Sequence, residues 1–450
     1  MARWNTLTPP ARCRWWHEES ADALPEAFTE SALQAAQDPE QQGALVFTQR
    51  YAASCSAANA RWQAKQALSP IDGLPVSIKD LFDVQGEATT AGSRLLADAP
   101  VAAANASVVD KLLLAGAAIV GKTTMTEFAF SGLGINHHYG TPVNPWQREQ
   151  QRIPGGSSSG AAVAVAEGMC LAAVGTDTGG SVRIPAALCG LTGFKPTAER
   201  INQRGTLPLS TSLDSIGVIA DDVRSCWLLD SVIADRPLAL QSLDLRNARF
   251  AVPQTRVLDG LDQHVAQAWQ RAITLVKQAG ATIIDITLPE LDELNAMNAR
   301  GGITAYEAWQ WHKKSAQAHP EAYDPQVLVR IQRGSHLTVQ DATELYQQRA
   351  AWQQRINAAL GDFDALLMPT VPLVAPTIAS LSDAQRYMEI NALMLRNPSI
   401  INMLDGCALS LPCHQPGSAP VGLSLASIHG DDARLISWSL AVETALNRRS

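Results

Sequence analysis

Helix and strand signals alternate along most of this chain, and this alternation constrains its fold more than any other feature of the sequence. Residues 105–123 are typical of a helix, a glycine turn and a short apolar strand. Residues 157–178 repeat this order with smaller side chains, and residues 262–289 join an amphipathic helix to a further strand. Because connecting helices cover the strands that they link, the pattern predicts an α/β fold whose sheet carries helices on both faces.

Local signals place several of these elements. A Gly-Leu-Pro turn opens residues 73–84, where Val76 and Ile78 alternate with polar residues as in a short strand. The Ala- and Gln-rich residues 20–65 predict helices. Thr338 and Asp341 form a capping-box pattern at the start of a long helix, which leads to the apolar run DALLMP. Residues 431–449 predict a closing helix.

Composition excludes several classes of protein. Of 450 residues, 46% are hydrophobic, enough for a large core, and a formal charge of −8 argues against a nucleic-acid surface. The sequence shows neither a membrane-spanning segment nor a signal peptide. The odd number of widely spaced cysteines fits a reducing compartment, so we expect a cytoplasmic protein. Seven widely spaced cysteines suggest no disulfide framework, and the nine histidines form no ligand motif. We therefore expect neither metal nor cofactor.

One serine is displayed in a way that suits a nucleophile. Ser181 stands in GTDTGGSVR, residues 175–183, behind two glycines whose main chain can approach a reacting oxygen. A serine is a weak nucleophile unless a base takes its proton. The nearest upstream histidines are His137 and His138, too far along the chain to identify as that base.

A lysine offers another base. Lys79 ends a mostly apolar strand, and burial there would favour its neutral amine, which can accept a proton. The alternative is a surface lysine paired with Asp80 or Asp83. A second serine cluster lies between Gly155 and Gly160; by itself it also fits a flexible loop before a buried Ala-rich helix.

Taken together, the three segments resemble the amidase signature family. The resemblance rests on GLPVSIKD with Lys79, PGGSSSGAAVAVA with Ser157, and GTDTGGSVRIPAALCGLTGFKPT with Ser181. Ser157 and Ser181 are 24 residues apart, the spacing of the family's signature. The resemblance implies one amidase domain over residues 1–450 with a large mixed, twisted β-sheet. Its signature core covers about residues 70–235, and a variable substrate or lid region covers about residues 290–400.

The resemblance also implies roles for individual residues. In this family the triad is Ser–Ser–Lys, so Ser181 is expected to be the nucleophile and Lys79 the terminal base, with a pKa drawn to roughly 7–8. Ser157 is expected to relay the proton between them, from a position held by a cis peptide to the preceding glycine. The main-chain N–H groups of Thr178, Gly179, Gly180 and Ser181 are the expected oxyanion hole.

Two arginines raise the question of substrate charge. Arg183 is a candidate clamp for a substrate carboxylate. The alternative is a structural arginine bonded to Asp177 or to main-chain carbonyls. Arg396 has the same two interpretations, on weaker grounds.

Other neighbours have open roles as well. Ser158, with Ser159, is a candidate for contact with the substrate or the triad, but it is equally placed to cap the following helix. Trp309 and Trp311 either line a pocket in the variable region or pack in a small core. Cys189 is interpreted as a small buried hydrophobic residue.

These observations predict an amidohydrolase that cleaves a small linear carboxamide to acid and ammonia through an acyl-enzyme on Ser181. Its expected partners are a small-molecule amide and either a second copy or a small accessory subunit, with no nucleic acid and no membrane. One alternative is the glutaminase component of a tRNA-dependent amidotransferase. Others are a non-catalytic scaffold on the amidase fold, or a thiol amidase that uses Cys170 or Cys189.

Overall fold

The computed structural model describes residues 25–38, 42–51 and 56–447, whose strands build one eleven-stranded sheet. In chain order the strands are β1 Phe47–Arg50, β2 Pro75–Lys79, β3 Ala118–Thr123, β4 Ala172–Asp177, β5 Thr192–Lys195, β6 Ser215–Ala220, β7 Arg249–Pro253, β8 Thr282–Ile286, β9 Ala365–Pro369, β10 Cys407–Pro412 and β11 Gly422–Ser427. The α-helices are α1 Pro25–Gln37, α2 Gly43–Val46, α3 Ser56–Gln63, α4 Ser107–Leu114, α5 Ser159–Ala166, α6 Arg183–Cys189, α7 Val223–Ile233, α8 Gln263–Gln278, α9 Glu290–Asn298, α10 Gly302–Ala318, α11 Pro325–Gln332, α12 Val339–Leu360, α13 Ala384–Arg396, α14 Pro398–Leu404 and α15 Asp432–Leu446.

The sheet is mixed, as predicted. Its strand order is β1-β3-β2-β4-β6-β5-β10-β11-β9-β7-β8. Strand β2 runs parallel to β3 and β4, and β7 runs parallel to β8 and β9, whereas the other neighbours are antiparallel.

Both faces of the sheet are buried under helices. Successive side chains of a strand point to opposite faces, so Val174 of β4 joins a core cluster with residues of α4 and α7. Its neighbour Ala173 joins a second cluster with residues of α1, α5 and α6. Helix α5 is apolar all round and almost wholly buried, as expected of a helix enclosed by other elements. The predicted α/β class is confirmed.

Most of the locally predicted elements are present. The helix and strand of residues 105–123 are α4 and β3, and the capping box of Thr338 and Asp341 opens α12. The prediction of helices throughout residues 20–65 was wrong at β1, which forms because it pairs with β3 at the sheet edge. Residues 20–24, 39–41, 52–55 and 448–449 of the predicted helices lie outside the described residues. No helix in the described ranges is long and apolar enough to cross a membrane.

The topology brings two of the sequence motifs together. Strands β2 and β4 are parallel neighbours, with Ile78 in register with Val174. Their carboxyl ends therefore lie at the same edge of the sheet, where β2 ends at Lys79 and β4 leads into residues 178–181. The loop before α5 reaches this edge as well. The predicted division into a signature core and a variable region stays a prediction.

Candidate active site

Lys79 is fully buried at the end of β2. Its Nζ lies 2.7 Å from the Oγ of Ser157 and 2.9 Å from the Oγ1 of Thr176. Burial lowers the pKa of Lys79 to about 7, against the opposing pull of the Asp214 and Asp177 carboxylates. A large fraction of the amine is therefore neutral near pH 7, and a neutral amine has a lone pair that accepts a hydroxyl proton.

The surface interpretation of Lys79 does not fit this geometry. Asp80 pairs instead with Lys122, at 2.9 Å, and both of these side chains are buried. Lys79 makes no ion pair with any residue that the structure describes, and its only polar partners there are the two hydroxyl groups.

Ser157 is held through its main chain. The peptide bond from Gly156 to Ser157 is cis, as the family resemblance implied. The Ser157 carbonyl accepts a hydrogen bond from the Thr126 N–H at 3.1 Å. A Cβ added to Gly156 would lie 2.5 Å from the amide nitrogen of Gly134, so the close approach of these two loops requires glycine.

Ser181 lies beside this pair and faces a cavity. It is 2% exposed and belongs to the cavity wall. Its carbonyl accepts a hydrogen bond from the N–H of Ser158 at 3.2 Å, which ties the two serine loops together. Within the described ranges, no hydrogen bond joins the hydroxyl groups of Ser157 and Ser181.

The predicted oxyanion hole is corrected at one position. The N–H of Gly180 donates to Oδ1 of Asp177 at 2.8 Å, so it is not available to a substrate oxygen. The N–H groups of Thr178, Gly179 and Ser181 find no acceptor in the part of the chain that the structure describes, and all three residues line the cavity. The Thr178 hydroxyl donates to Asp214 at 2.5 Å.

The buried Asp177 carboxylate holds the loop of residues 178–181 in place through hydrogen bonds. Besides Gly180, it accepts hydrogen bonds from Nε and Nη2 of Arg183, at 3.0 and 2.9 Å, and from the Asn402 amide. Burial by itself would raise the pKa of Asp177, but the Arg183 guanidinium holds it well below its usual range. Arg183 is fully buried and absent from the cavity wall. Its assignment to substrate binding is therefore replaced by the structural alternative.

This placement of Arg183 leads to a stability prediction. Arg183→Met should lower the free energy of unfolding by about 3–5 kcal/mol, because it leaves the buried Asp177 carboxylate without its cation. Arg355→Met is the matched control: it removes an exposed pair with Glu293, which should cost no more than about 1 kcal/mol. Urea denaturation measures both. If Arg183→Met left the stability unchanged and raised only the KM for acidic amides, Arg183 would instead be the residue that binds a substrate carboxylate.

Other residues singled out in the sequence lie away from the cavity. Ser158 is buried, and its hydroxyl donates to the Thr176 carbonyl at 3.4 Å, so its assignment as a substrate contact is also corrected. Its side chain makes no capping bond to α5. Trp309 packs against the main core, and Trp311 contacts Phe128.

The two cysteines of the thiol alternative do not reach the cavity either. Cys170 is buried against Ser77, and the Cys189 thiol donates to the Pro154 carbonyl. Burial raises the pKa of the Cys189 thiol far above its ordinary value. Neither sulfur is placed or poised to attack a substrate.

The cavity that Ser181 faces has a volume of about 340 Å³. Arg396 lies on its wall, and so do residues that the sequence did not single out, among them Asn391, Arg256, Arg330 and Arg333. Thr176 and Asp214 were also missed. Only Thr176 had a local signal, because it belongs to the same motif as Ser181.

A family comparison agrees with this arrangement. The sequence profile of the Amidase family matches residues 27–436 of the chain. The chain belongs to the amidase family. Enzymes of this family hydrolyse carbon–nitrogen bonds. The prediction that the protein is an amidohydrolase is therefore confirmed.

Curated relatives cover most of the chain. The 2-amino-5-chloromuconic acid deaminase of Comamonas testosteroni is 36% identical over 397 residues, which are 85% of this chain and 84% of the relative. The A subunit of glutamyl-tRNA(Gln) amidotransferase from Chloroflexus aggregans is 34% identical over 424 residues, 85% of each chain. A crystal structure of an amidase superposes with a TM-score of 0.85 at 31% identity, covering 97% of this chain and 99% of that one.

Proposed function

We propose that this amidase hydrolyses a small linear carboxamide to a carboxylic acid and ammonia through an acyl-enzyme on Ser181. The observation that carries the proposal is the buried Lys79 amine, 2.7 Å from Ser157 and next to a serine that faces a cavity. A scaffold without catalysis would not account for a lysine buried at this cost, with a pKa of about 7 and no carboxylate partner among the described residues.

The proposed reaction has two halves. In the first, Ser181 Oγ attacks the amide carbon, its proton passes to Ser157, and the Ser157 proton passes to Lys79. The developing oxyanion accepts hydrogen bonds from free main-chain N–H groups among Thr178, Gly179 and Ser181. The carbon–nitrogen bond then breaks as the proton returns to the nitrogen, and ammonia leaves. In the second half, water attacks the ester by the same proton path, releasing the acid and restoring Ser181.

Ammonia release tests the proposal. Purified protein is incubated with acetamide, butyramide, benzamide, glutamine and the amides of short dicarboxylic acids, and ammonia and acid are measured together. We expect equal amounts of the two products from at least one amide, and none with Ser181→Ala. Failure to hydrolyse any amide in a broad panel, with or without partner proteins, would contradict the proposal.

A second candidate, the glutaminase component of a tRNA-dependent amidotransferase, is favoured by the 34% identity to the Chloroflexus aggregans protein. Glutamine hydrolysis that appears only when the other amidotransferase components are added, together with their co-purification, would support this candidate. Ammonia release from other amides by the isolated chain would favour the first. Whether the protein forms a homodimer or needs a small accessory subunit stays a prediction.

A further inference from the structure

The cavity beside Ser181 has a strongly one-sided charge. Four arginines lie on its wall, whereas no aspartate, glutamate or lysine of the described residues does; the four are Arg256, Arg330, Arg333 and Arg396. A guanidinium stays charged near neutral pH, and burial lowers the pKa of Arg330 only to about 10. Such a concentration of one sign of charge around a small cavity attracts anions and disfavours cations.

Three of these arginines already have partial protein partners. Arg256 donates to the side chain of Asn295 and Arg396 to that of Asn397, and Arg333 donates to the main chain at Asn298 and Ala299. All of these acceptors are neutral. None of the four arginines forms an ion pair within the described ranges, although Asp259 and Asp292 act on Arg256 from outside the cavity wall.

Arg330 differs from the other three because it has no polar partner. It forms no hydrogen bond or ion pair with any described residue, and its Nη1 is buried. Its Cζ lies 4.6 Å from the ring centre of Phe130, which also lines the cavity. A guanidinium resting on an aromatic ring keeps its in-plane N–H groups free for a planar acceptor. A buried charged donor without an acceptor is costly, and a ligand that supplies one removes this cost.

We propose that the substrate is an amide that carries a carboxylate, and that Arg330 binds this carboxylate while the amide carbonyl lies at Ser181. The inference rests on the proposed function and adds the charge class of its substrate. A carboxylate matches the fork of N–H donors that a guanidinium presents. The volume of about 340 Å³ suits a small molecule that reaches both groups.

Matched substrates test this inference. The monoamides malonamate, succinamate and glutaramate are compared with malonamide, succinamide and glutaramide, which replace the carboxylate by a neutral group of nearly the same shape. We expect kcat/KM for the best monoamide to exceed that of its diamide by about 10- to 100-fold, the range of one hydrogen-bonded charge. Equal rates for each pair would overturn the inference and leave the amidase function standing.

Variants assign the effect to one residue. Arg330→Gln should bring the monoamide-to-diamide ratio close to one, mainly by raising KM for the monoamide, and Arg330→Lys should keep part of the preference. Arg355→Gln, at an exposed pair outside the cavity, should leave the ratio unchanged. A preserved ratio in folded Arg330→Gln would contradict the role of Arg330.

Binding provides a readout that does not depend on turnover. Calorimetric titration of Ser181→Ala with malonate, succinate and glutarate should give tighter binding than titration with malonamide, succinamide and glutaramide, and Arg330→Gln in that background should remove the difference. Ammonia release from none of the six amides would contradict the proposed function for this set of substrates. If the diacids bind no better than the diamides, the inference that the substrate carries a carboxylate is wrong.

Discussion

Ser181→Ala should lower amide hydrolysis by about 10⁴-fold or more, because it removes the hydroxyl group that forms the acyl bond in the proposed mechanism. The fold should survive, since the substitution removes one hydroxyl from a residue that faces the cavity and that makes no side-chain hydrogen bond in the described structure. The loop itself is held by its main chain, through Gly180 to Asp177 and through the Ser181 carbonyl to Ser158. We expect the free energy of unfolding to change by no more than about 1 kcal/mol.

The measurement combines steady-state ammonia release with covalent labelling. A serine-directed phosphonate should label Ser181 in the wild-type protein, and mass spectrometry should find no label in the variant. Ser439→Ala is a matched control, because this serine is buried in α15 with an unpartnered hydroxyl. It should keep full activity. An active Ser181→Ala protein, labelled at a cysteine, would contradict the mechanism.

Lys79→Ala should lower amide hydrolysis by about 10²–10⁴-fold, the usual contribution of a general base. The rate of ester hydrolysis should fall less than the rate of amide hydrolysis, because an alkoxide leaves with less help from a proton than an amine does. This ratio is an internal control, since a folding defect would lower both rates equally. Lys79→Arg should not restore amide hydrolysis, because a guanidinium does not deprotonate and cannot act as a base.

The protonation of Lys79 should also determine how the rate of amide hydrolysis depends on pH. Lys79 must be neutral to accept a proton, and its pKa is about 7. Below pH 7 the protonated fraction grows, so log kcat/KM should fall with decreasing pH with a slope that approaches one. Above about pH 8 the rate should level off. The pH–rate profile of the wild type tests this, and a Lys79→Arg enzyme that keeps most of its amidase activity would leave Lys79 with only an electrostatic or structural role.

Much of the fold could be predicted from local sequence because its signals are local. Apolar alternation at Val76 and Ile78, the capping box at Thr338 and the small residues of α5 each act within a few residues of chain. Strand β1 was not predicted, because its four residues become a strand only by pairing with β3. Its pairing partner lies more than 70 residues further along the chain, where no local pattern marks it.

The sequence by itself determined the family, the alternation of helices and strands in several parts of the chain, and the three segments that carry Lys79, Ser157 and Ser181. Only the tertiary structure decided which charged groups face the substrate. Arg183, two residues from Ser181 in sequence, is buried on Asp177 and Asn402, whereas Arg330, from a distant helix, reaches the cavity wall. The physical reason is that an arginine's role depends on whether an acceptor lies within hydrogen-bond distance. For Arg183 that acceptor is Asp177, and for Arg330 the described chain supplies none.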